Sequence, residues 1–324
     1  MVKKSVAITG IILIIFCVST WLLSWFTPIT MFTPIFLMNS RPELAEISEN
    51  LYIGQGIGMY ISNPLIAHIG SPAWHPKDFV YGVTRLSDKA KEGEEVYYPL
   101  FTESEIEEDK QRSQVSLYRL ASDNEEKRPY VLLLAGGGFV SVCTPMESLP
   151  VAAAFNDLGY TAFCLTYRIS ESFGDKPETL AEDIYKAVSF ITEHADEFNV
   201  DPSNYLIGGF SAGGMAIAEW CNPETGYQKY EAEKPGAACF IYGVNESYKD
   251  KIDIPSFIRY CVDDVHFGVE GFDNFESGIA DRNIPTDYKK VGCPHGFGLG
   301  TGTEAEGWVN EAEVFWKEQI GFGK

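Results

Sequence analysis

The sequence predicts an α/β fold, a mostly parallel twisted sheet with helices on both faces. Three observations carry this expectation. Continuous apolar runs of strand length recur through the later two-thirds of the chain: PYVLLLA, TAFCLTY, NYLIGG, ACFIYG and IPSFIRYCV. Such runs suit strands covered on both faces. Segments with helical spacing separate several of them, and strands alternating with helices imply parallel pairing through crossovers. Two runs end abruptly in glycine-rich turns, at Gly136-Gly137-Gly138 and between Gly209 and Gly213.

The regular pattern begins near Val115, where QVSLYRL alternates as a strand does. PYVLLLA then runs into Ala135-Gly136-Gly137-Gly138-Phe139. A helix-like segment from Leu149 to Leu158 precedes the strand Thr161 to Tyr167. Leu180, Ile184, Val188 and Ile191 recur about one helical turn apart and mark one face of the next helix. Asp201-Pro202 leads into NYLIGG, which meets Gly209-Phe210-Ser211-Ala212-Gly213 and then the helix-compatible GMAIAEW. ACFIYG, IPSFIRYCV and a shorter DYKKV follow as strands. A final helix from about Glu304 to Gln319 is expected to open on a capping box, Thr303 to Glu306.

The N-terminus reads differently. No residue from Ser5 to Ser40 is charged, and Lys3 and Lys4 stand just ahead. Ser5 to Phe26, at roughly 1.5 Å per residue, spans about 33 Å as a helix, enough for a hydrocarbon core of about 30 Å. Trp21 and Trp25 fall towards its outer end, where interfacial indoles are common, and Pro28 stops it. A cleaved signal peptide has a shorter apolar region and an A-x-A-like cleavage site, which is missing here. The segment therefore reads as an uncleaved transmembrane signal anchor, with the rest of the chain outside the cytoplasm by the positive-inside rule. Were it cut, the protein would be secreted. Phe16 before Cys17 disfavours a lipid-modified cysteine. The expected division is an anchor over 1–27, a juxtamembrane spacer or cap with the first strands over 28–110, and a catalytic domain over 111–324.

Composition excludes several classes. A chain of 324 residues, 45% hydrophobic and 14% aromatic, can bury a core. The net charge of −21, from 46 acidic and 25 basic residues, argues against nucleic acid and against peripheral binding to anionic lipid. The seven cysteines show no metal-ligand spacing. Cys164, Cys239 and Cys261 sit in strand-like apolar runs, where Cys packs as a small hydrophobe. One disulfide among the others is compatible with the sequence.

The chemistry gathers at the two glycine-rich turns. G-x-S-x-G is a weak motif alone, but here an apolar strand meets a helix, the setting of a nucleophile elbow. Small residues at Gly209 and Gly213 permit the turn that lifts Ser211, and the Ala212 N–H begins the helix. The N–H groups of Gly136-Gly137-Gly138 can approach a substrate closely and meet an oxyanion. No GK[ST] follows, so a nucleotide loop is a poor reading. A serine nucleophile needs a histidine base held by a carboxylate, in the chain order Ser, Asp, His. Only His266 and His295 follow Ser211. His295 lies in a turn after the last strand, at the sheet's carboxyl edge; His266 is the rival. Asp263 and Asp264, just past FIRYCV, are the candidate acids.

Together AGGGF at 135–139, LTYR at 165–168, DPSNYLIGGFSAGG at 201–214, the acid pair at 263–264 and HGFGLG at 295–300 resemble esterases of the α/β-hydrolase superfamily. The similarity lies in the branch near hormone-sensitive-lipase-like and acetyl-xylan-esterase-like enzymes, from about Val115 onward. The resemblance implies the α/β-hydrolase fold, Ser211 as nucleophile, His295 as base and Asp264 as acid, with Gly137, Gly138 and Ala212 supplying oxyanion donors. The chemistry needs no metal or cofactor, the elements leave little room for a long lid, which favours a small soluble ester as substrate, and the resemblance adds acetyl esters of carbohydrates. The family's oxyanion loop usually begins with His, where this chain has Ala135. Support for the loop must therefore come from elsewhere. Two other readings compete. A related serine peptidase would normally bring a large gating domain, for which this chain is too short. An inactive surface binding module would have no need of all three triad residues.

Overall fold

The computed structural model describes residues 25–54, 63–69 and 74–322. The strands are β1 (Tyr97–Pro99), β2 (Ser116–Leu120), β3 (Arg128–Leu134), β4 (Ala162–Thr166), β5 (Val200–Phe210), β6 (Ala237–Ile241), β7 (Ser256–Cys261) and β8 (Thr286–Val291). They form one eight-stranded sheet in the order β1-β2-β4-β3-β5-β6-β7-β8. The pairings β1–β2 and β2–β4 are antiparallel, and every other pairing is parallel.

The helices are α1 (Ile35–Asn39), α2 (Pro76–Lys91), α3 (Glu103–Glu108), α4 (Ser148–Asp157), α5 (Leu180–Glu193), α6 (Ala212–Cys221), α7 (Val269–Ala280) and α8 (Trp308–Ile320). From β3 the chain moves through α4 to β4 in one direction, then through α5 past β3 to β5 in the other. Right-handed crossovers running in opposite directions place their helices on opposite faces. Accordingly α2 and α8 pack with α4, while α5 packs with α6. The strand order reverses between β3 and β5, and the crevice outside the carboxyl ends of such strands is where ligands bind in open α/β sheets.

Each strand expected from the sequence is present, and the mostly parallel sheet with helices on both faces stands. Tyr130, Leu132, Phe163, Leu206, Ile207, Phe240 and Ile258 are fully buried between the helix layers. Cys164, Cys239 and Cys261 lie buried on β4, β6 and β7, and no disulfide links the six described cysteines.

The final helix differs from expectation. It begins at Trp308, not near Glu304, behind Gly307 at φ 90°. Thr303 and Glu306 form no capping box. The Thr303 hydroxyl donates to the Gly300 carbonyl at 2.7 Å, and the Glu306 carboxylate accepts from the Gly302 N–H at 2.8 Å. Left-handed backbone at Gly300, Gly302 and Gly307 keeps these residues in turns.

Four helices, α1, α2, α3 and α7, carry no expectation from the sequence. In α2, Pro76 occupies the first turn behind the cap residue His75, and Phe79, Val83 and Leu86 make a buried stripe. Helix α7 buries Phe272, Phe275 and Ile279. Ahead of α2, Ile35, Met38, Leu44 and Leu51 are fully buried in the same core. The charge-free stretch at the N-terminus lies outside the described residues up to position 24. Among the described residues, no helix is long and apolar enough to cross a membrane.

Candidate active site

Ser211 stands between β5 and α6 at φ 49° and ψ −119°, a conformation that non-glycine residues rarely adopt. The turn exists because its neighbours are small. A Cβ on Gly209 would meet the Gly213 carbonyl oxygen at 2.3 Å, and one on Gly213 would meet the Leu134 carbonyl oxygen at 2.2 Å. The Ser211 N–H donates to the Ile241 carbonyl at 3.0 Å, tying the turn to β6.

The fold brings the expected base and acid to this serine. His295 Nε2 lies 2.9 Å from Ser211 Oγ, and His295 Nδ1 lies 2.7 Å from Asp264 Oδ2. The second Asp264 oxygen accepts the backbone N–H groups of His266 at 2.8 Å and Phe267 at 3.0 Å. Burial pushes the Asp264 carboxyl up, but its hydrogen bond to His295 and the two N–H donors outweigh that cost and hold it below the usual carboxylate range. Asp263 is exposed and makes no such contact. His266 sets its ring edge-on to His295, with centroids 4.7 Å apart, and gives the acid a backbone donor. The rival base is thus a neighbour of the Ser211–His295–Asp264 cluster, not the partner of Ser211.

The loop after β3 bends around the same point. Gly137 has φ 136° and Gly138 φ 62°, and both line the cavity above Ser211 with Ala212. The Ala212 N–H opens α6 and has no intrahelical acceptor. Gly136 behaves differently from its two neighbours. Its N–H donates to Glu147 Oε2 at 2.6 Å, so it is spent on holding the loop.

This is the support that Ala135 required. The Ala135 carbonyl accepts from the Tyr167 hydroxyl at 2.7 Å, and Gly136 is held by Glu147. Glu147 was not legible as a site residue. Its signal is a lone acid at the start of an otherwise apolar helix, CTPMESLPVAAAF. Burial pushes its carboxyl up, and the Gly136 N–H and nearby His295 only partly oppose this.

The cavity has a volume of about 790 Å³ and opens above Ser211 and His295. Phe139, Val140 and Met215 give it apolar lining, and Lys176, Asn245 and Ser247 give it polar lining. Phe173, 69% exposed, stands over Gly138, where a Cβ would fall 2.2 Å from its ring. Among the described residues, no group of three or more His, Cys, Asp or Glu is placed to hold a metal ion.

Residues 117–221, from β2 to the end of α6, match the BD-FAE family model. A 100-residue stretch is 35% identical to endo-1,4-beta-xylanase B of Butyrivibrio fibrisolvens, covering 30% of this chain and 15% of that protein. The chain therefore spans only a small part of that relative. The structure is similar to an acetyl ester-xyloside bifunctional hydrolase from Caldicellulosiruptor lactoaceticus, with TM-score 0.59, 20% identity, and 70% and 96% of the two chains covered. It is also similar to esterase 2 of Thermogutta terrifontis, with TM-score 0.54, 21% identity, and 64% and 90% covered. The chain has the α/β-hydrolase fold.

Proposed function

We propose that this α/β-hydrolase is a serine esterase that cleaves small carboxylic esters through an acyl-enzyme. The observation that carries the reading is the unbroken run of hydrogen bonds from Asp264 through His295 to Ser211 at the floor of a cavity.

In this reading His295 Nε2 takes the Ser211 proton as Oγ attacks the ester carbonyl carbon. The carbonyl oxygen becomes an oxyanion facing the N–H groups of Gly137, Gly138 and Ala212, where one donor typically contributes about 3 kcal/mol. The imidazolium, stabilised by Asp264, returns the proton to the leaving alkoxide, which departs as the alcohol. Water then attacks the acyl-enzyme, with His295 taking its proton, and Ser211 leaves reprotonated alongside the free acid.

A cavity of about 790 Å³ with mixed lining suits a small ester. Acetyl esters of carbohydrates are the first substrates to try, since similar proteins carry xylanase and acetyl ester-xyloside hydrolase names. The charge-free N-terminal stretch supports a membrane anchor with the catalytic domain outside the cytoplasm. The test is covalent labelling by a fluorophosphonate. Labelling that disappears in Ser211→Ala supports an activated serine. A folded protein that never labels contradicts it and favours the binding-module reading.

A further inference from the structure

Glu147 is 3% exposed and lies at the head of α4, where three loops of the site converge. One carboxyl oxygen accepts the Gly136 N–H at 2.6 Å, which fixes the loop after β3. The other accepts the Tyr242 hydroxyl at 3.2 Å. Tyr242 follows β6 directly, with its N–H on the Arg259 carbonyl at 2.7 Å. Its hydroxyl oxygen in turn accepts the Gly298 N–H at 3.1 Å, three residues past His295. The Tyr242 ring also packs edge-on against His295 and Phe297, with centroids 4.9 and 4.6 Å away.

Resting on the esterase reading above, we propose that Glu147 is a positioning residue that sets two loops at once. It holds the oxyanion loop through Gly136 and the histidine loop through Tyr242 and Gly298.

The chemistry of the side chain favours this role over plain packing. A buried carboxyl is costlier to take out of water than an apolar group of its size, so core filling alone does not call for one. Only a carboxyl accepts hydrogen bonds at two oxygens in one rigid plane. The two acceptors face donors from segments that are not adjacent in sequence, Gly136 and Tyr242. Glutamine retains one acceptor for Gly136 and offers its amide N–H to the Tyr242 oxygen. Aspartate, one methylene shorter, cannot span both partners.

The experiment compares the full chain with Glu147→Gln, Glu147→Asp, Glu147→Ala and Tyr242→Phe. It reads residue-resolved amide exchange at Gly136 and Gly298, and steady-state hydrolysis of p-nitrophenyl acetate. Glu147→Ala and Glu147→Asp should speed exchange at both amides by about tenfold or more. Tyr242→Phe should free Gly298 and leave Gly136 protected. In hydrolysis, Glu147→Ala should lower kcat by about 10- to 100-fold with little change in KM, and Glu147→Gln should recover most of it.

Unchanged Gly298 exchange in both Glu147→Asp and Glu147→Ala overturns the proposal. So does a Glu147→Gln variant no better than Glu147→Ala. If Glu147→Ala fails to fold, the Asp, Gln and Phe variants decide the question. A wild-type protein that hydrolyses nothing sinks the esterase reading alone, because exchange still reports whether the two loops share one strut.

Discussion

His295 Nε2 and Ser211 Oγ lie 2.9 Å apart although 84 residues separate them in the chain. The contact exists because β5 and β8 end at the same edge of the sheet, within its parallel part. Strand direction alone delivers both residues there. The acid arrives by the same route, from the turn after β7, which lies beside β8.

Asp264, not Asp263, is therefore expected to orient the imidazole. Asp264→Asn should lower kcat by about 10⁴-fold, the scale seen when a triad acid is neutralised. Asp263→Asn should stay within about twofold, since the exposed side chain meets neither His295 nor Ser211. Ester hydrolysis by the two variants in parallel checks this, and equal losses contradict it.

The depressed Asp264 carboxyl also fixes a pH dependence. A group whose folded pKa is lowered contributes stability above its unfolded value, about 3.9 for Asp, and loses it as pH falls through the folded value. The stability gap between wild type and Asp264→Asn should still be present at about pH 5. It should close only below about pH 4. Urea midpoints from about pH 5 to about pH 3 measure it, and a gap that widens over that range would contradict it.

Gly213 is expected to be irreplaceable and Gly271 dispensable. A methyl at 213 lands 2.2 Å from the Leu134 carbonyl oxygen and 2.6 Å from that of Ala135, both rigid backbone at the root of the glycine-rich loop after β3. Gly213→Ala should cost about 1–3 kcal/mol and at least about 100-fold in activity. Gly271 lies within α7 with nothing within 4 Å of an added Cβ. Gly271→Ala should stabilise by about 0.5–1 kcal/mol and leave kinetics unchanged. Thermal melts and hydrolysis rates read both.

Arg168, the last residue of LTYR, ties the end of β4 to α5. Its guanidinium is 3% exposed and reaches Asp183, which is fully buried, at 2.6 Å. Arg168→Met removes the guanidinium and leaves the buried Asp183 with the residue-168 backbone N–H, now at 3.0 Å, and should cost about 3–5 kcal/mol. Replacing Asp183 by Leu in the same chain should return a large part of that loss. Urea denaturation of the single and double variants decides it, and additive losses would mean the pair is not coupled.

What the sequence made legible follows from period and punctuation. PYVLLLA runs into three glycines and NYLIGG ends in two, so both the strands and the glycine-rich turns after them are legible locally. His295 was readable because it sits in a turn after the last strand. Glu147 was not, because its partners Gly136 and Tyr242 come from other loops, and only the fold makes its carboxyl a site feature. Helix α2 is not legible in the sequence because its stripe of Phe79, Val83 and Leu86 follows an irregular segment rich in Pro and Ile. The supposed capping box at Thr303 failed because three left-handed glycines surround it, a tertiary feature that the local motif does not encode.

The most direct test of the central claim is p-nitrophenyl acetate hydrolysis by the purified protein, beside Ser211→Ala and His295→Ala. The account predicts turnover by the parent and background rates in both folded variants. A folded parent as inert as its variants, or a Ser211→Ala variant that still turns over, would contradict it.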